Sequence, residues 1–363
     1  MIGVGDSESL GEVGVFLDEE FRSGYGPARG TVHRPRGLFD EEANTLTYPS
    51  DSRSAVHACA FALPTGISVA MFTGAMTALV TPFRDGHVDD AALEKLVESQ
   101  IVAGIDALVP CGTTGEAPTL EPEEHAHVVA RVVTTARKRV PVIAGCGSNS
   151  TAHTIALARG AEKAGANGLL VVTPYYNKPT QEGLFRHYMT LAQAVPLPIV
   201  VYNIPGRAAV DMSVDTLARL ATAEPLIVAV KEATGQVARA QEIARRLGDR
   251  MVVLSGEDPL NLAIYAVGGR GCISVTSNVM PRQVAGTWDA FAAGDFVKAR
   301  ALHGETLPVT EALFFETNPI PVKAAMAMMG AMGEEIRAPL YPISEEPRVR
   351  LRTVLVKQGL LPC

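Results

Sequence analysis

A lysine ends one of the most apolar stretches of this 363-residue sequence. In "IVAVKEATG", residues 227–235, four apolar residues precede Lys231. Lysine is among the residues least often fully buried, so its place in a buried strand requires a chemical reason. Burial disfavours the charged form of an amine, and a neutral amine is a nucleophile that forms an imine with a keto acid. The sequence therefore indicates imine chemistry at Lys231. The alternative is a structural lysine paired with an acid.

A tyrosine ends the preceding apolar run. Tyr202 follows "PIVV", and if the two runs are neighbouring strands, it lies in the same layer as Lys231. Imine formation needs a group that moves protons, which a tyrosine hydroxyl can do. The alternative is a tyrosine that fills space with its hydroxyl bonded to a carbonyl.

Two further segments offer groups that suit a carboxylate. "GTTGE" carries the hydroxyls of Thr113 and Thr114 beside glycines that expose backbone N–H groups. "YNIPGRAA" carries Arg207, whose guanidinium can hold a carboxylate through two hydrogen bonds. The alternatives are a tight turn with a capping threonine and a solvated arginine.

The runs that carry these residues recur at the spacing of a TIM barrel. Helix-period segments such as "DAALEKLVESQIVAG" separate them, and this alternation predicts a parallel sheet covered by helices. We therefore expect a (β/α)8 TIM barrel over residues 71–295, with its active site at the C-terminal ends of the strands. A doubly wound open sheet is the alternative, but no GxGxxG follows the first run. The eight runs are "AMTALVTP", "ALVPCGTT", "VPVIAGCG", "GLLVVTPYY", "PIVVYNIP", "LIVAVKEA", "MVVLSGED" and "GCISVTSN".

Two flanking segments differ from the barrel. Residues 1–70 contain no lysine, and glycine, proline and serine interrupt any period there, so we expect a poorly ordered N-terminal extension. One hypothesis is that Met71 is the true initiator, which the intact mass of protein made from the native gene would decide. After residue 295 the strand pattern stops, and alanine- and leucine-rich stretches predict a small C-terminal helical domain over residues 296–363.

Composition argues against several function classes. A formal net charge of -7 without a basic stripe argues against nucleic acid and anionic membranes as partners. The five cysteines show no CxxC spacing, and the N-terminus lacks the pattern of an export signal, so we expect reduced thiols in a cytoplasmic protein. His125 and His127 are two residues apart and would point to different faces of a helix, which argues against a metal site.

From about Met71 to Leu361 the sequence resembles the dihydrodipicolinate synthases of the pyruvate-dependent class I aldolase and lyase superfamily. The motifs "GTTGE", "TPYYNKP", "YNIPGR", "KEATG" and "GCISVTSN" occur in the family's order and at its spacing. The resemblance implies condensation of pyruvate with L-aspartate 4-semialdehyde in lysine and diaminopimelate biosynthesis. It also implies a homotetramer built of tight dimers and no cofactor beyond the imine on Lys231.

The resemblance also implies a role for each site residue. Lys231 would form the Schiff base, and Tyr202 would donate and accept protons. The other members of the relay would be Thr113 and Tyr176, with Tyr176 reaching into the neighbouring subunit's site. Arg207 would bind the carboxylate of the aldehyde substrate. The residues expected to contact pyruvate are Thr114, Ile273 and Gly256.

The sequence departs from feedback-inhibited members at the expected lysine-binding interface. Asn149, His125 and Tyr175 are retained, but His153 stands where those members have an acid, and Pro122 stands where some have a histidine. A histidine cannot supply the negative charge that holds an ammonium group. We therefore expect weak or absent inhibition by L-lysine.

Two other functions stay open from the sequence. Sister enzymes that act on N-acetylneuraminate or on 2-keto-3-deoxy sugar acids share the barrel, the lysine and the tyrosine, but they resemble this chain less at Arg207 and the paired threonines. A non-catalytic barrel paralogue is the other alternative, although every relay position is filled here.

Overall fold

The structure is a computed structural model that describes residues 69–248 and 250–362. A 3-10 helix, Val69–Phe72, leads into the first strand. The predicted N-terminal extension over residues 1–70 lies outside the described residues, apart from the two that begin this helix.

Eight parallel strands form one sheet in the described residues, which confirms the predicted barrel. The strands are β1 Gly74–Ala78, β2 Ala107–Val109, β3 Ile143–Gly145, β4 Gly168–Val172, β5 Ile199–Asn203, β6 Ile227–Glu232, β7 Val252–Ser255 and β8 Gly271–Ser274. Their order in the sheet is β2-β1-β8-β7-β6-β5-β4-β3. A parallel bridge between Leu108 and Val142 joins the two edges and closes the ring.

One main helix follows each strand. Polar side chains cap several of them: Ser150, Thr180 and Ser213 each accept a hydrogen bond from a backbone N–H of the first turn. An antiparallel hairpin, Phe83–Arg84 with His87–Val88, interrupts the first crossover. The helices are α1 Asp90–Val102, α2 Pro122–Ala136, α3 Thr151–Ala164, α4 Gln181–Ala194, α5 Val214–Ala223, α6 Val237–Leu247, α7 Asn261–Ala266 and α8 Pro281–Ala292.

The core has two layers because strand side chains alternate between the barrel interior and the helices. On β6, Val230 packs in the outer layer and Ala229 in the inner one. Both layers are almost free of solvent-exposed surface. This explains why the strands read as continuous apolar runs rather than as alternating ones.

We call the N-terminal end of the strands the base. Phe72 is fully buried there within the inner layer. Gly74 and Gly271 pair across β1 and β8 with φ of 107° and 147°, where a side chain is disfavoured. A Cβ built on Gly271 would lie 2.1 Å from the Gly74 carbonyl oxygen. Backbone and aromatic packing therefore close the base.

Three helices follow the barrel, as predicted: α9 Phe296–Ala312, α10 Ile320–Met328 and α11 Glu345–Lys357. Lys323 of α10 is buried, donates a hydrogen bond to the Thr81 carbonyl at 3.0 Å and forms an ion pair with Glu116. Arg337 pairs with Glu124, in the first turn of α2, through both Nη atoms at 2.6 Å. These contacts fasten the C-terminal segment to the C-terminal end of the strands, which we call the mouth, and to the start of α2.

Within the described residues, no helix has both the length and the apolarity needed to cross a membrane. Three cysteines, Cys111, Cys146 and Cys272, are buried free thiols. The boundaries predicted at residues 71 and 295 remain predictions.

Candidate active site

Lys231 lies inside the barrel at the C-terminal end of β6. Lys231 is only 5% exposed. The neighbouring Glu232 points outward, where its carboxylate accepts a hydrogen bond from Arg239 at 3.0 Å. In the part of the chain that the structure describes, Lys231 forms no ion pair with a carboxylate. The alternative of a structural lysine held by an acid therefore has no support from the contacts.

Tyr202 stands beside this amine on the adjacent strand. The two residues are register partners between β5 and β6. The Lys231 Nζ lies 4.2 Å from the centroid of the Tyr202 ring. The ring is 6% exposed, so the pair shares one nearly dry layer at the mouth. This is the proximity that a proton-moving group needs toward an imine-forming amine.

Gly256 follows β7 directly and touches the lysine. A Cβ at this position would lie 2.7 Å from the Ala233 Cβ and 3.1 Å from the Lys231 Cε. Any side chain there would displace the lysine or Ala233. The next residue is Glu257, whose carboxyl pKa is raised chiefly by burial. Ile273 on β8 packs in the inner layer with Tyr202.

The two threonines lie in the turn after β2 rather than on the strand, where we expected them. β2 ends at Val109, because Pro110 cannot donate a hydrogen bond and Cys111 has a positive φ of 55°. Thr114 is 2% exposed, and its Oγ1 accepts a hydrogen bond from Asn318 Nδ2 at 3.1 Å. Turn residues thus bring both hydroxyls to the mouth.

A cavity of about 280 Å³ opens at the mouth. Its lining includes Thr113, Tyr202, Arg207, His153 and Tyr175. Lys231 does not line it, and its amine lies against the Tyr202 ring. The cavity therefore connects two of the predicted catalytic residues, Thr113 and Tyr202, to two residues of the expected lysine-binding interface.

Arg207 lies in a single helical turn, Pro205–Ala208, that follows β5. Its Nη2 donates a hydrogen bond to the Asn318 carbonyl oxygen at 3.0 Å. The guanidinium borders the cavity and remains accessible at its entrance.

Tyr176 is not brought to this cavity within the single chain. It is 86% exposed and has a φ of 73°, which is uncommon for a residue with a side chain. Its expected place in a neighbouring subunit's site stays a prediction.

Sequence reasoning missed Asn318. It lies between α9 and α10, and it contacts both Thr114 and Arg207. A polar residue before "PIP" in a loop carries no periodic signal, so only its contacts distinguish it.

The histidine pair behaves as its spacing predicted. His125 is buried and contacts the Gly145 carbonyl at 2.7 Å, whereas His127 is on the surface beside Asp90. Burial lowers the pKa of His125. Among residues 69–248 and 250–362 no group of three or more His, Cys, Asp or Glu side chains is arranged to hold a metal ion.

The fold and the site define a class: (β/α)8 barrels with a buried lysine at the mouth, next to a tyrosine. The family model for the dihydrodipicolinate synthetase family matches residues 71–358. The chain belongs to this family.

Individual relatives agree with this assignment. The 4-hydroxy-tetrahydrodipicolinate synthase of Geobacter sulfurreducens is 52% identical over 291 residues, which cover 80% of this chain and 100% of the relative. The crystal structure of dihydrodipicolinate synthase from Aquifex aeolicus aligns with a TM-score of 0.79 at 48% identity, covering 80% of this chain and 100% of that one. A structure of the enzyme from Cyanidioschyzon merolae with lysine bound aligns with a TM-score of 0.77 at 37% identity, covering 80% and 99%.

Proposed function

We infer that this chain is a lyase that condenses pyruvate with L-aspartate 4-semialdehyde to give 4-hydroxy-tetrahydrodipicolinate, in lysine and diaminopimelate biosynthesis. The observation that carries the inference is the buried Lys231 amine, 4.2 Å from the centre of the Tyr202 ring. Family membership and the synthase relatives support the substrates.

The reaction begins at the lysine. The neutral Lys231 amine attacks the pyruvate carbonyl carbon, and one water leaves as the imine forms. The imine draws electrons from the pyruvate methyl group, so loss of a proton from that carbon gives an enamine. We propose Tyr202, whose ring lies beside the Lys231 amine, for these proton transfers, with Thr113 and Tyr176 as its relay partners.

Carbon–carbon bond formation follows. The enamine carbon attacks the aldehyde carbon of the second substrate, whose oxygen takes up a proton and becomes the 4-hydroxyl group. The amino group of that substrate then attacks the imine carbon, closes a six-membered ring and releases Lys231. One water is lost over the whole cycle, and the electron sink throughout is the imine, so we propose no further cofactor.

Binding roles complete the proposal. We propose that Thr114, Ile273 and Gly256 contact pyruvate and that Arg207 holds the carboxylate of the aldehyde substrate. The exposed Tyr176 supports a site completed by a neighbouring subunit, and we propose a homotetramer built of tight dimers in the cytoplasm.

Borohydride reduction tests the imine. Treatment with pyruvate and borohydride should add a reduced pyruvyl group to the peptide that carries Lys231, and Lys231→Met should abolish both labelling and turnover. Lys163→Met, which removes an exposed lysine of α3, is the control and should keep both the label on Lys231 and turnover. An unlabelled peptide from active enzyme would refute the inference. Coupled turnover of pyruvate with aspartate semialdehyde, set beside cleavage assays with N-acetylneuraminate and keto-deoxy sugar acids, distinguishes the substrates.

A further inference from the structure

A single residue of the C-terminal segment touches both ends of the substrate site. Asn318 is 4% exposed. Its side-chain Nδ2 donates to the Thr114 hydroxyl at 3.1 Å, and its backbone carbonyl accepts from Arg207 at 3.0 Å. These partners are 204 and 111 residues away in sequence. Asn318 thus joins the proposed pyruvate contact to the proposed contact for the second substrate.

The direction of the Thr114 hydrogen bond has a chemical consequence. A hydroxyl has one proton to donate and lone pairs that accept. Because the Asn318 N–H occupies an acceptor position of Thr114, the Thr114 proton is left for another acceptor. In the described part of the chain, Asn318 is the one side-chain partner of this hydroxyl. A bound carboxylate is the strongest acceptor for the Thr114 O–H, because hydrogen bonds to charged groups are the stronger ones.

The other end of the amide is open. Asn318 Oδ1 is buried and lacks a hydrogen-bond partner among the described residues. Buried polar groups are almost always paired, so an unpaired one calls for an explanation. If Asn318 only stabilised its loop, both its amide nitrogen and its amide oxygen would be expected to form hydrogen bonds.

The frame around Asn318 is firm. Lys323, five residues later, pairs with Glu116 of the "GTTGE" turn and donates to the Thr81 carbonyl. The second Glu116 oxygen accepts from the Arg337 backbone N–H at 3.0 Å. Asn318 and Thr114 are therefore tied to each other through a second, buried set of contacts, which limits how far one can move against the other.

We propose that Asn318 is a positioning residue that aims the Thr114 hydroxyl at the carboxylate of pyruvate and holds Arg207 at the entrance. The proposal rests on the proposed function and adds to it a residue from outside the barrel. It makes the pyruvate affinity of the site depend on the C-terminal segment.

Two substitutions of Asn318 test the direction of the bond. Asn318→Asp keeps the size of the side chain but offers only acceptors, so it would accept a hydrogen bond from the Thr114 O–H and turn it away from pyruvate. It also adds negative charge near the pyruvate carboxylate. We expect the pyruvate concentration that half-saturates borohydride trapping to rise by about 10-fold or more. Asn318→Ala removes the whole amide, Nδ2 donor and Oδ1 together, without adding charge, and should raise this concentration about 3- to 10-fold. Both should change pyruvate KM more than kcat.

A double-mutant cycle separates positioning from general support. In a Thr114→Val background the hydroxyl is gone, so Asn318→Ala should add little to the pyruvate effect. Asn167→Ala is the matched control, since Asn167 also uses its side chain in one described hydrogen bond, to the Val142 N–H, but lies just before β4 at the base. It should leave pyruvate binding unchanged. Should Asn318→Ala fail to fold, the isosteric Asn318→Asp carries the same test.

Failure of the positioning proposal can be distinguished from failure of the proposed function. If wild-type enzyme forms no imine with pyruvate, the proposed function is wrong, whatever Asn318 does. If wild-type enzyme forms the imine but both Asn318 variants titrate with unchanged pyruvate dependence, the positioning role alone is wrong. Full additivity in the cycle would likewise overturn it.

Discussion

The base and the mouth of the barrel are built from the same eight strands but in opposite ways. At the base, Phe72 fills the interior, and paired glycines bring the backbones of β1 and β8 into contact. At the mouth, Lys231, Tyr202 and Thr114 place polar groups in a nearly dry layer beside a cavity. The two ends therefore have different roles. Packing at the base stabilises the barrel, whereas the buried polar groups at the mouth reduce its stability.

This contrast predicts that substitutions at the mouth change turnover and that substitutions at the base change stability. The largest effect is expected for Tyr202→Phe, which keeps the ring against Lys231 and removes the hydroxyl. Loss of a proton-transfer group should lower kcat by about 10²- to 10⁴-fold with little change in KM. Steady-state kinetics measure both quantities.

A matched control for that variant is Tyr188→Phe. Tyr188 is also fully buried, but it lies on α4 outside the barrel and donates to the Val171 carbonyl at 2.8 Å. It should lose some stability and keep its kcat. Equal kcat with a higher KM in Tyr202→Phe would assign Tyr202 to binding instead.

At the base, Phe72→Ala should show the reverse behaviour. Removal of a fully buried phenylalanine leaves a cavity and should lower the free energy of unfolding by about 3–5 kcal/mol. Urea unfolding measures this, and pyruvate KM and kcat should remain near wild type below the transition. A large fall in kcat in the folded variant would contradict the separation of the two ends.

Arg207→Ala separates the binding of the two substrates at the mouth. Loss of a charge-assisted hydrogen bond costs about 1.5–3 kcal/mol, so use of aspartate semialdehyde should weaken about 10- to 150-fold while pyruvate still forms its imine. Arg219→Ala is the control, because Arg219 is a surface arginine bound to Glu182 on the outer helices. Equal loss of imine formation in Arg207→Ala would show that the assigned role is wrong.

A smaller effect on stability is expected from Asp106, which precedes β2 at the base. Burial is the main reason that the pKa of this carboxyl rises from 3.8 to about 6, despite the hydrogen bond it accepts from the Ala75 N–H. A folded-state pKa above the unfolded one means that the group favours folding below about pH 4 and that this contribution is lost as pH rises through about 6. Asp106→Asn should therefore stabilise the protein at neutral pH by about 1–3 kcal/mol, with partial exposure reducing the gain.

Thermal or urea unfolding near pH 4 and pH 7.5 measures the difference. The gain should be present at the higher pH and absent at the lower one. An equal gain at both values would mean that the charge of Asp106 is not its cause.

The smallest expected effect is that of L-lysine on the wild-type enzyme. The relative from Cyanidioschyzon merolae has been solved with lysine bound. Here His153 borders the cavity and offers no negative charge to an ammonium group. A lysine titration at saturating pyruvate should show weak or absent inhibition, and half-inhibition at submillimolar lysine would contradict this. His153→Glu should strengthen lysine binding about 10- to 150-fold, since it adds a charge-assisted contact.

Much of the site was predictable because its residues belong to strands. Lys231 and Tyr202 each end an apolar run, which predicted that both lie in one layer at the C-terminal ends of neighbouring strands, as their register shows. The threonine position was predicted less well. Chain geometry after Val109 depends on a turn with a positive φ at Cys111, which no apolar period reveals.

The amino-acid pattern alone was sufficient for the eight strands and for the helices that cover them, because hydrophobic periodicity acts over a few residues. It could not reveal the contact of Asn318 with Thr114, the Glu116–Lys323 pair or the fitting of Gly256 against the lysine. Those contacts join residues distant in sequence. They form only when the barrel closes and the C-terminal segment packs against it, which brings these side chains together. The local pattern determines which residues lie at the C-terminal ends of the strands, and the tertiary structure determines which of their side chains are in contact.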